Sequence, residues 1–141
     1  MKIFQIILFI FTLNMFSFFP IDNNKENFYI NDDIIDEIVQ SIKNGDAAWL
    51  SSFFSSTIIL TVPDNEGTYS KTQSELIMKN FFTKNPPRNF SIKQKGFSGE
   101  GSQFAIGNYV STTGKLYRTY FLLTRTNNKY FITLLEFEAE S

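Results

Sequence analysis

The chain has 141 residues, of which 43% are hydrophobic and 17% aromatic, so it is long enough for one packed domain and too apolar for wholesale disorder. Its formal net charge of -1 argues against a dedicated nucleic-acid binder. The absence of Cys excludes disulfides, thiol chemistry and a lipoprotein-type anchor, and the absence of His removes the commonest general base and metal ligand, so neither metal nor cofactor is implied.

Lys2 is followed by an almost wholly apolar run from Ile3 to Phe19, broken by Gln5, Thr12, Asn14 and Ser17. A short basic start and a short apolar run make residues 1–20 a secretory signal peptide. An uncleaved anchor is the alternative, although the run falls short of the roughly 20 apolar residues a spanning helix needs. Export without cysteines fits a periplasmic or cell-surface bacterial protein. Residues 21–31, rich in Asn, Asp, Lys and Glu, are a polar linker, and residues 32–141 form the domain.

The first helix is expected over Ile34 to Lys43, with Ile34, Ile35, Ile38, Val39 and Ile42 on one stripe, Asp33 as N-cap, and Asn44-Gly45 as the stop. Asp46 caps a second helix, Ala47 to Phe54, whose bulky face carries Trp49, Leu50, Phe53 and Phe54. Thr57 to Val62 is a strand stopped by Pro63, and Asp64-Asn65-Glu66-Gly67 is a turn. Ser70-Lys71-Thr72-Gln73 is a capping box opening a helix to about Lys84 that buries Leu76, Ile77, Phe81 and Phe82. Asn85-Pro86-Pro87 ends it, because the residue before a proline is pushed out of helix. Four antiparallel strands follow, at about Asn89–Lys95, Gln103–Thr112, Lys115–Thr124 and Lys129–Glu138, separated by Gly- and Asn-bearing turns. The fold class is α+β, with helices packed on a strongly curved antiparallel sheet that encloses a cone-shaped interior.

The element order resembles the nuclear-transport-factor-2-like fold. Lys43-Asn44-Gly45-Asp46, Pro63 to Gly67 with Tyr69-Ser70-Lys71, Phe81-Phe82, Asn85-Pro86-Pro87 and Tyr117 to Leu123 carry a narrower resemblance, to domain of unknown function 4783, a family of small exported bacterial proteins. This family has no established activity. The wider fold implies a small molecule held in the cone and a homodimer formed through the sheet.

The residues leave three functions open. A module binding a small apolar or amphipathic ligand in the cone would use Trp49, Phe53, Tyr109, Arg118 and Tyr120 as its candidate pocket. Arg118, alternating with Leu116, Tyr120 and Leu122, is either an anion anchor in the cone, or part of a structural ion pair with Glu136, or a residue of the exposed face. A structural or interaction protein would instead dimerise, or take a partner protein, through its sheet. An isomerase or dehydratase needs an acid or base in the cavity, and the late strands supply only Glu136 and Glu138, so a non-catalytic reading is preferred. Up to Glu66 there are 9 acidic residues against 3 basic, and from Gly67 on 5 against 10. A basic sheet face attracting an anionic partner would follow if the cations clustered, but Lys71, Lys79, Lys84, Lys93, Lys95, Lys115 and Lys129 are scattered.

Overall fold

The computed structural model describes residues 29–141, so the expected signal peptide and most of the expected linker lie outside the described residues. The last residues of that linker are held to the fold. The buried Gln103 side chain accepts from the Asn31 amide at 2.9 Å and donates to the Tyr29 carbonyl at 3.1 Å. The first helix, α1, spans Asp32–Lys43, and its N-cap is Asn31, not Asp33. Asn31 accepts from the Ile34 amide, while Asp32 and Asp33 lie in the first turn, where the helix dipole favours acids. Ile35, Ile38, Val39 and Ile42 are its buried stripe. The end is a Schellman turn: the Asp46 amide reaches the Ser41 carbonyl and the Gly45 amide the Ile42 carbonyl, with Gly45 at φ +60°.

Helix α2 is shorter than expected, Ala47–Ser51, and is capped by Asp46 on the Trp49 amide. The Ser51 and Ser52 hydroxyls bond back to the Ala48 and Trp49 carbonyls, and the chain leaves the helix so that Phe54 opens a strand and is wholly buried. Strand β1 is Phe54–Val62 and β2 is Asn65–Ser70; they form a hairpin in which Val62 faces Asn65 across the two-residue loop Pro63-Asp64. Most of the residues read as a turn are therefore an edge strand. Helix α3, Lys71–Lys84, opens on the expected capping box between Ser70 and Gln73. It buries Ser74, Met78, Phe81 and Phe82, whereas Leu76 is 63% exposed, so the stripe is rotated from the expected one. Strands β3 (Pro87–Ser98), β4 (Ser102–Ser111), β5 (Leu116–Thr126) and β6 (Lys129–Ala139) follow as an antiparallel meander.

The six strands form one sheet in the order β2-β1-β6-β5-β4-β3. Four neighbouring pairs are antiparallel, and β1 runs parallel to β6, which joins the first hairpin to the end of the meander. Register shifts between Pro87 and Asn89, Ile92 and Gln94, Leu122 and Leu123, and Phe54 and Ile59 mark bulges, which bend a sheet and increase its twist. The helices cover one face, and the core lies between them and that face.

Candidate functional site

Alternation along each strand divides the sheet into two faces. On β5, Tyr117, Thr119, Phe121 and Leu123 are buried against the helices, so Leu116, Arg118, Tyr120 and Leu122 point outward. On β4, Gln103, Ala105, Gly107, Tyr109 and Ser111 face in, and Phe104, Ile106 and Asn108 face out. Tyr109 and Arg118 therefore lie on opposite faces and cannot line one cavity. The five residues expected to form a pocket are dispersed: Tyr109 is in the core, Arg118 is exposed and Tyr120 half-buried on the outer face, and Trp49 is half-buried on α2. Phe53 lines a surface groove with Ile34, Tyr130 and Phe131. Arg118 faces Glu138, not Glu136, in the β5–β6 register and makes no ion pair among the described residues.

Aromatic rings occupy the cone. The Phe81 ring centroid lies 4.7 Å from Phe137, 5.2 Å from Tyr117, 5.6 Å from Tyr109 and 5.8 Å from Phe82. Tyr109 meets Phe137 edge-on at 5.4 Å, the favoured geometry for quadrupolar rings. Both phenols end on Asn85, the residue that terminates α3: Tyr109 donates to its carbonyl, and Tyr117 donates to its Oδ1 at 2.7 Å. The Asn85 Nδ2 in turn donates to the Phe81 carbonyl at 3.3 Å. Burial pushes both phenols upward in pKa, helped by Tyr117 beside Tyr109 and by Asp64 beside Tyr117, so each stays a neutral donor. The sequence marked Asn85 only as a helix stop. Its role as a hub has no local signal, because its partners are 24 and 32 residues away.

At the mouth of the cone is a cavity of about 160 Å³, lined in part by Val62, Asp64, Phe81, Lys84, Asn85 and Tyr117. Among the described residues Asp64 is the one carboxylate lining it, and it is mostly exposed and paired with Lys84 at 3.1 Å. Among the described residues, proton abstraction in this cavity would rest on that carboxylate alone.

The outer face is organised by register. Ile59, Leu134, Leu122 and Phe104 face one another across β1, β6, β5 and β4, forming an apolar row. The next row is Glu66, Thr61, Glu136, Tyr120 and Ile106, and beyond it Glu138 faces Arg118. The Phe104 and Tyr120 rings stack at 6.1 Å and join the two rows. Three acids and one base lie on this part of the face, so it is not the basic surface that the charge count raised. Desolvation raises the Glu136 carboxyl, and Glu138 and Glu66 add to the rise while Arg118 opposes it.

This architecture, helices packed into one face of a curved six-stranded sheet, is nuclear-transport-factor-2-like. The chain belongs to the family described as domain of unknown function (DUF4783), matched over residues 35–138. It is similar to a DUF4783 family protein from Bacteroides ovatus ATCC 8483, at TM-score 0.68 and 25% identity over 74% of this chain and 94% of that one. It is also similar to one from Bacteroides uniformis ATCC 8492, at TM-score 0.70 and 20% identity over 75% and 96%. An NTF2-like protein of unknown function from Shewanella baltica OS155 shares the fold, at TM-score 0.58 and 17% identity over 78% and 90%. No curated protein matches the chain.

Proposed function

We propose that this is an exported, non-catalytic interaction protein that associates with a second copy of itself through the outer face of its sheet. The observation that carries this reading is the apolar row Ile59–Leu134–Leu122–Phe104, which crosses four strands on the side away from the helices. None of the four is fully buried, and Ile59 is 47% exposed. Contiguous apolar surface of this kind marks interaction sites. A two-fold interface must be self-complementary. This face carries both a cation that makes no ion pair among the described residues, Arg118, and the acids Glu136 and Glu138, so a two-fold axis can set Arg118 of one copy against Glu138 of the other. A ligand held in the cone is supported less well, since small-molecule pockets usually span about 300–1,000 Å³. Here rings fill the interior, and the cavity at its mouth holds only about 160 Å³. The apolar run at residues 3–19 supports export.

Sedimentation velocity tests the reading. The purified protein should show a concentration-dependent dimer, and Leu122→Lys should weaken it at least about tenfold, as expected when a charge is desolvated at an interface. Circular dichroism should show the variant folded, because Leu122 is on the outer face. A wild-type protein that stays monomeric at high concentration would end the proposal.

A further inference from the structure

We infer that self-association through the outer sheet face is controlled by acidity, with Glu136 as the carboxylate that must be neutral when two faces meet. This rests on the self-association reading above and adds its regulation. Glu136 lies in the centre of the face. Leu134 precedes it on the same face of β6, Thr61 is its register partner on β1, and Tyr120 is its partner on β5. The charged and titratable groups facing it are Glu138 on its own strand, Glu66 on β2 across Thr61, and Tyr120 and Arg118 on β5.

Neighbouring strands lie about 4.8 Å apart, and residues two apart on one strand about 7 Å, so Glu138 repels Glu136 at short range and Glu66, two strands away, adds a weaker repulsion. One guanidinium cannot balance three acids. Two faces brought together would confront six carboxylates with two arginines. Arg118 can pair with Glu138 across the two-fold axis, and Glu66 lies toward the edge strand, where water still reaches it. Glu136 is left against Leu134, Thr61 and Tyr120, and Arg118, already engaged by Glu138, cannot neutralise it. An unpaired charge in such a place is costly, and a carboxyl relieves the cost by holding its proton. Its proton is already held more tightly than usual in the single copy, through desolvation and the two neighbouring acids. Burial against a second copy strengthens the same effect, so association takes up protons and tightens as pH falls.

The test is sedimentation velocity of the purified protein at about pH 7.5 and about pH 5, with Glu136→Gln and Glu138→Gln beside the wild type. The wild type should associate at least about tenfold more tightly at the lower pH. Glu136→Gln, neutral at every pH, should associate tightly at both and lose the dependence. Glu138→Gln should weaken association at both, since it removes the partner of Arg118, and should keep a reduced dependence, since it also removes one of the acids that raise the Glu136 carboxyl. A wild-type dimer indifferent to pH, or a Glu136→Gln dimer that keeps the full dependence, overturns this inference and leaves the self-association reading standing. Absence of any wild-type dimer at either pH overturns both.

Discussion

Gly107 is required by its neighbours. It sits on the inner face of β4, where a Cβ would lie 2.7 Å from the Ser91 carbonyl oxygen and 2.8 Å from the Phe90 ring. The ring of Phe90, wholly buried, takes the space a side chain would need. Since one of the obstructing atoms is backbone, Gly107→Ala must push β3 away or displace the ring. The expected cost is about 1–3 kcal/mol, typical of overpacking a core, measured as a lowered midpoint in urea. Thr119, its register partner on β5, has the opposite problem. Its hydroxyl is buried and has no hydrogen-bond partner among the described residues. Thr119→Val keeps the shape and removes an unsatisfied polar group, so stability should rise by about 1 kcal/mol in the same assay. A loss of stability would mean that the hydroxyl is bonded, for instance through a water.

At the scale of elements, local chemistry governs the ends and tertiary packing governs the rest. Ser70 and Gln73 satisfy each other's backbone donors at the start of α3, and those bonds depend only on residues within one turn. Ser70→Ala should cost about 0.5–2 kcal/mol of stability, read by thermal or chemical unfolding. The phase of α3 was harder to see in the sequence. Ser74 occupies a fully buried position of its stripe, so an apolar count places Leu76 inside and overlooks Met78. Strand β2 was hidden for a related reason: NEGTYS has no apolar alternation, because an edge strand at this site is only half covered. Its pairing with β1 is set by the loop Pro63-Asp64 and by the β1 backbone, not by its own side chains. The early end of α2 reflects competition for Phe54, which gains more as a buried strand residue than as the last turn of a short helix.

At the scale of the whole molecule, the tyrosines of the cone join helix α3 to the meander and make the fold sensitive to alkali. Burial holds the Tyr109 and Tyr117 protons more tightly in the folded chain than in the unfolded one. Their contribution is therefore complete below about pH 10, the ordinary tyrosine value, and is lost as pH rises through the folded-state values. Urea midpoints should stay level from about pH 8 to about pH 9.5 and fall above about pH 10. In Tyr109→Phe, which also loses the bond to Asn85, the fall should be shallower from a lower starting stability. An equally steep fall would place the alkaline sensitivity elsewhere.

The sequence by itself determined the class of fold, the N-caps of α2 and α3 and the four-strand meander, because each is written in local spacing: periodicity, capping residues and turn residues act over a few positions. It also restricted the chemistry, since a chain without His or Cys lacks the groups most often used for bases, nucleophiles and metals. Only the tertiary structure decided which way Arg118 points, that Tyr109 and Tyr117 meet on Asn85, and that β1 lies parallel to β6. A strand's alternation states that its residues divide between two faces and not which face is covered. The outer row from Ile59 to Phe104 brings together residues up to 75 positions apart in the chain, and only the registers of four paired strands set them side by side. The candidate site therefore moved from the inside of the cone to the outside of the sheet.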